Sequence, residues 1–68
     1  MIEFEITEDY IELIKLLKIT QIAESGAMAK IFVENNEVKR NGEIETRKRA
    51  KILKGETIEI FDQIIKTY

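Results

Sequence analysis

Val38-Lys39-Arg40-Asn41-Gly42-Glu43-Ile44-Glu45-Thr46-Arg47-Lys48-Arg49 sets an Asn-Gly dipeptide between two short alternating stretches, the strongest short-range signal for a β-hairpin. The spacing predicts a three-residue loop of Arg40, Asn41 and Gly42, with Gly42 as the left-handed bulge residue. That register pairs Lys39 with Glu43 and Val38 with Ile44, so both apolar residues share a face, and it leaves Arg40 at the tip in solvent. A two-residue turn would instead oppose Arg40 to Glu43 and place Val38 and Ile44 on opposite faces of the ribbon.

The same stretch is the electrostatic centre of the chain. Residues 39–54 hold seven of the eleven Lys and Arg residues against two acids, a local charge of +5. Residues 1–38 carry −5 and the last fourteen carry −2, so the whole-chain charge of −2 conceals the patch. A phosphate backbone responds to the local field and not to the sum. A cationic patch on an otherwise anionic domain points to a polyanion as partner.

Working outward, Ile2, Phe4 and Ile6 alternate with Glu3 and Glu5, the period of a strand with one buried face. Thr7 is expected to cap a first helix that opens with Glu8 and Asp9 and carries Tyr10, Leu13, Ile14 and Leu17 on its apolar stripe. Ser25 is the start signal for a second helix, through Met28, Ala29, Phe32 and Val33 to Asn35-Asn36. Gly26 is expected to let a backbone or a ligand come close. Thr46 to Lys51 reads as irregular or as a twisted edge, Ile52-Leu53 returns to the core, and Lys54-Gly55 turns into a strand with Ile58 and Ile60 inward. The tail from Asp62 reads as a short helical turn through Ile64 and Ile65. These elements describe an α+β fold of 1–68 as a single domain: an N-terminal strand, two packed helices, then a hairpin and a final strand in a small, mostly antiparallel sheet.

Composition removes several function classes. With no Cys and no His, the chain lacks thiol chemistry, disulfides, the usual zinc ligands and the commonest general base. No nucleophile sits beside a base and no calcium-loop spacing occurs, so neither an enzyme nor a metal site nor a cofactor is expected. The longest apolar runs fall far short of a membrane span of about 18 residues, and the N-terminus has no basic leader, so a cytoplasmic location is expected. Phe4, Tyr10 and Phe32 occupy core-facing positions, which leaves Phe61 and Tyr68 as the only aromatic rings expected near the surface.

Three pieces in order, Ala23-Glu24-Ser25-Gly26-Ala27-Met28-Ala29-Lys30, then the hairpin with its basic continuation, then Lys54-Gly55-Glu56-Thr57-Ile58, resemble the RNA-binding domain first seen in ribosomal protein S-four, the αL motif. The resemblance spans about residues 7–61 and is to the small stand-alone bacterial members of the YaaA and YbcJ type. It implies that the helix pair and hairpin form a face that docks on structured RNA, using Lys30, Lys39, Arg40 and the basic run. Ala27 replaces a second Gly, Asn36 a helix-ending Gly, and Arg40 an apolar strand residue usual in that family. The candidate RNA-binding residues are therefore Lys30, Lys39, Arg40, Asn41, Arg47, Lys48, Arg49, Lys51 and Lys54. Ribosomal RNA, transfer RNA and ribonucleoprotein particles are compatible partners. DNA is disfavoured because the second helix carries Lys30 as its only basic residue. The alternative is an adaptor whose hairpin binds an acidic protein or whose exposed strand edge pairs with another chain.

Overall fold

The computed structural model describes residues 1–68 as two helices laid on one face of a mixed five-stranded sheet. The chain runs β1 (Ile2–Phe4), β2 (Ile11–Glu12), α1 (Leu13–Ile19), α2 (Gly26–Glu34), β3 (Lys39–Arg40), β4 (Glu43–Ile44), β5 (Lys51–Ile52), β6 (Thr57–Ile60) and β7 (Gln63–Thr67). The sheet order is β1-β7-β6-β3-β4, antiparallel except for the parallel pairing of β1 with β7. The α+β, mostly antiparallel architecture expected from the sequence is the one observed.

Fourteen buried apolar residues form one core. Leu13, Leu16 and Leu17 enter it from α1, Ala29 and Val33 from α2, and Val38, Ile58, Ile60 and Ile65 from the sheet. The spacing of Leu13, Leu16 and Leu17 turns one face of α1 inward. Ser25 caps α2 as expected, its Oγ accepting from the Met28 N–H at 3.1 Å. Asn36, with φ 59°, ends that helix in the left-handed conformation Asn tolerates. Gly26 faces Ile14 at a distance where a methyl group would fit, so close approach is not what the position requires.

Four local readings are corrected. First, α1 does not start at Thr7: residues 7–10 are not helical, and Ile11–Glu12 pairs with Lys51–Ile52 before the helix opens at Leu13. The Leu13 N–H donates to the Ala50 carbonyl at 2.8 Å, so a partner distant in sequence supplies the helix start. Second, Tyr10 is consequently exposed and not in the core. Third, the tail is a strand. Phe61 and Asp62 both adopt positive φ (50° and 64°) and turn β6 directly into β7, with Ile58 opposite Ile65. Neither residue is Gly, which is why the sequence carried no turn signal there. Leu53, finally, is exposed while Ile52 alone returns to the core.

The hairpin takes the two-residue turn. Arg40 pairs with Glu43 and Lys39 with Ile44, and Asn41 and Gly42 both have positive φ (52° and 88°), as a type I′ turn requires. Val38 is fully buried while Ile44 faces solvent. The inward place that Ile44 would have filled belongs to Glu45, and this has direct consequences for the basic surface.

Candidate nucleic-acid interface

In the observed register Arg40 does not stand at a solvated tip. It turns toward the inner side of the hairpin, where its side chain is four-fifths buried. Its Nε and Nη2 form a fork on the Glu56 carboxylate, with Nη2–Oε1 at 2.8 Å. Nη1 reaches Glu45 Oε1 at 3.3 Å, and Nη2 also donates to the Lys51 carbonyl at 2.8 Å. Glu56 accepts in addition from the Leu53 N–H at 2.9 Å and from Asn41 Nδ2 at 3.1 Å. The other end of the Asn41 amide accepts from the Thr57 N–H at 2.9 Å. Asn41 and Arg40 thus tie the hairpin to the turn before β6.

Glu45 carries the network into the basic run. Its Oε2 accepts from the Arg47 N–H at 3.0 Å and from Arg47 Nε at 3.2 Å, while Oε1 accepts from Arg47 Nη2 at 3.3 Å. No buried side-chain nitrogen or oxygen lacks a partner. These contacts favour the charged forms. The Arg47 side chain, opposed by burial and aided by the Arg47 N–H and by Arg40, lowers the Glu45 carboxyl from 4.5 to about 2. Glu56 is lowered as well, chiefly by Arg40, and Arg40 is raised above its already high value, chiefly by Glu56.

A carboxyl depressed in the folded state stabilises the fold fully above its unfolded value and loses that contribution as pH falls toward the folded one. Stability should therefore fall between about pH 4.5 and about pH 2, by a Glu45 share on the order of 2–3 kcal/mol, with Glu56 adding in the same direction. Denaturant unfolding at pH 6 and at pH 2.5 checks this. In Glu45→Gln, which has no proton to gain, the acid-dependent part should shrink.

The run from Thr46 to Ala50 is not a strand, yet it is fastened at both ends. The Glu45 N–H donates to the Val38 carbonyl at 2.9 Å, and Ala50, buried in the core, is followed by the β5–β2 ladder. Between these anchors Arg40, Arg47, Arg49, Ala50 and Lys51 line one open concavity. The Arg47 and Arg49 side chains are 72% and 80% exposed, so their guanidinium groups face solvent although each touches a carboxylate. Lys51 Nζ lies 5.1 Å from the centre of the Tyr10 ring, a cation–π contact at the rim.

The flanks are set by two ion pairs. Lys48 Nζ meets Glu34 Oε2 at the end of α2 at 2.7 Å, and Arg49 Nη2 meets Glu12 Oε2 in β2 at 3.1 Å. Lys30 lies four residues before Glu34, on the same side of α2, which brings it to the Lys48 flank. Lys54 is exposed in the turn that follows β5. Lys39 stands apart: as the neighbour of Arg40 in β3 it points to the opposite face, into a depression it shares with Glu37, Glu59 and Asp62.

The structure therefore gathers Arg47, Arg49 and Lys51 around the Arg40 brace, sets Lys48 and Lys30 beside them, and separates Lys39. The sequence reading missed Glu45, Glu56, Glu12 and Glu34, which arrange the cations, and Tyr10. The signal for Glu45 was available in the two-residue register, which puts position 45 opposite Val38 and therefore inward. No group of three or more acidic, His or Cys side chains is arranged to hold a metal ion, and no helix is long and apolar enough to cross a membrane.

Comparison with known proteins gives a consistent set of similarities. The S4 domain family matches residues 4–67. A protein of Escherichia coli (strain K12) named "Putative RNA-binding protein YbcJ" is 49% identical over 49 residues, covering 72% of this chain and 70% of that protein. The "Uncharacterized protein YbcJ" of Shigella flexneri matches to the same extent. The solution structure of YbcJ from E. coli, described as revealing an αL motif involved in RNA-binding, superposes with a TM-score of 0.75 at 38% identity, covering 98% of this chain and 86% of the other.

Proposed function

Because the chain belongs to the S4 domain family, we propose that it is a non-catalytic RNA-binding protein that docks the 46–51 segment and the adjoining side of α2 on structured RNA, chiefly through phosphate contacts. The observation that carries this reading is the concavity in which Arg47, Arg49 and Lys51 present exposed cationic groups from a segment anchored at both ends. Guanidinium groups match phosphate geometry with paired donors, and neutralising phosphates releases counterions.

The roles divide. Arg47, Arg49 and Lys51 contact phosphates, Lys48, Lys30 and Lys54 extend the surface, and Arg40 and Asn41 hold the segment in place. Lys39, on the other face, contributes least. Shape and backbone are the features read, because the solvent-facing rings are engaged or placed singly: Phe61 meets Phe32 edge-on at 4.8 Å, Tyr10 lies beneath Lys51, and Tyr68, exposed just beyond β7, stacks on no other ring. Ribosomal or transfer RNA in the cytoplasm fits this reading, as does association with a ribonucleoprotein particle. Crosslinking in cells followed by sequencing of bound RNA tests it, with Arg47, Lys48 and Arg49 all changed to Ala as the control. Recovery of structured RNA that collapses in the triple variant supports the reading. Recovery undiminished by that change places the site elsewhere, and recovery of an acidic protein instead supports the adaptor.

A further inference from the structure

Of the cations assigned to RNA that are ion-paired, two are held by carboxylates outside the buried network. Lys48 is held by Glu34 at 2.7 Å and Arg49 by Glu12 at 3.1 Å, and the carboxylates come from two different elements on either side of the basic segment. Neither carboxylate belongs to the buried network: the Glu34 side chain is 51% exposed and that of Glu12 34% exposed, and neither accepts any other side-chain hydrogen bond. Glu45 and Glu56, by contrast, accept backbone N–H groups and are buried, so they cannot leave without undoing the fold.

We infer that Glu12 and Glu34 act as internal competitors for phosphate, weakening the basic surface for polyanions in general and setting the threshold an RNA must exceed to bind. The inference rests on the proposed function. Each carboxylate stands where a phosphate oxygen would stand on its cation, and an approaching phosphate must either displace that carboxylate or forgo the cation. An RNA that meets one cation alone gains little, whereas one that reaches both flanks together replaces both carboxylates. Selectivity for a folded polyanion then comes from acids within the site as well as from its bases.

The test measures binding of bulk transfer RNA by fluorescence anisotropy across a salt series, for the unaltered chain, Glu12→Gln, Glu34→Gln and the double variant. Because exposed ion pairs of this kind are weak, each amide should tighten binding by about twofold to fivefold and the pair by up to about tenfold. Each freed cation should also steepen the dependence of log affinity on log salt by up to about 0.9. Glu3→Gln, which removes the same charge from an exposed strand position with no ion pair, should change affinity by less than about twofold. Affinity no higher in the variants, a slope that does not move, or an equal gain in Glu3→Gln overturns the inference while leaving RNA binding intact. If the unaltered chain does not bind transfer RNA at all, the proposed function falls together with it.

Discussion

Glu56→Ala should destabilise the protein by about 3 kcal/mol, enough to remove much of the stability of a chain this short. Glu56 is the carboxylate on which Arg40, Asn41 and the Leu53 N–H converge, and its side chain is only 12% exposed. Removing one partner of such a pair leaves the guanidinium of a side chain that is four-fifths buried with part of its compensation gone, at a cost of about 3–5 kcal/mol in fully buried cases. Arg40 retains Glu45 and the Lys51 carbonyl, which places the expected value at the lower end. At ordinary stability per residue a domain of this length has only about 3–10 kcal/mol in total. Urea unfolding measures the loss. The double variant Arg40→Ala/Glu56→Ala should be less destabilised than the two single changes added together, because the second removal takes away the group the first left unpaired. Additive losses would show that the two side chains do not act as a pair.

Changing Arg47, Lys48 and Arg49 together to Ala should weaken binding to a structured RNA about a hundredfold. Hydrogen bonds to charged groups contribute about 1.5–3 kcal/mol each when sheltered. Here the Arg47 and Arg49 side chains are mostly exposed and all three cations have carboxylates to leave, so about 1 kcal/mol each is the appropriate figure, or two decades in total. Circular dichroism should show the helix and sheet content retained, since Arg40 still satisfies Glu45 when Arg47 is gone. Lys39→Ala, on the opposite face, should change the same affinity by less than about twofold. A loss at Lys39 as large as that of the triple change would move the interface to the outer face of the sheet.

Much of the frame was legible because local signals agreed with the tertiary result. The alternation of Ile2 and Phe4 and the Ser25 cap act within a few residues and are found as read, and a hairpin does turn at Asn41-Gly42, although with two loop residues and not the three expected. The misreadings have a common cause in contacts distant along the chain. Thr7 has the chemistry of a cap, but the pairing of Ile11 with Ile52 delays the helix until Leu13. The tail becomes a strand because β1 and β6 both pair with it, and Phe61-Asp62 makes the turn without the usual glycine.

The hairpin shows most clearly what pattern alone hides. Matching Val38 to Ile44 maximised apolar contact and was the reasonable choice if Glu45 belonged in water. Glu45 does not belong in water, because Arg40 and Arg47 compensate it. The family resemblance implied an apolar strand residue at position 40, and that expectation was itself a sign that the position faces inward. The candidate site was legible as a list of cations but not as a surface. Adjacent residues 39 and 40 lie on opposite faces, while the carboxylates that aim the cations come from α2, β2 and the turn before β6.

The most direct test of a phosphate-binding surface on the 46–51 segment is the salt dependence of RNA affinity. A titration of the unaltered chain against a structured RNA such as transfer RNA, from low to physiological salt, should give log affinity falling with log salt at a slope of about −3 to −4, as expected if four or five phosphates are engaged. The Arg47, Lys48 and Arg49 triple change should reduce the size of that slope by about 2–3. An affinity that does not respond to salt, or a slope identical in the two proteins, would contradict the assignment.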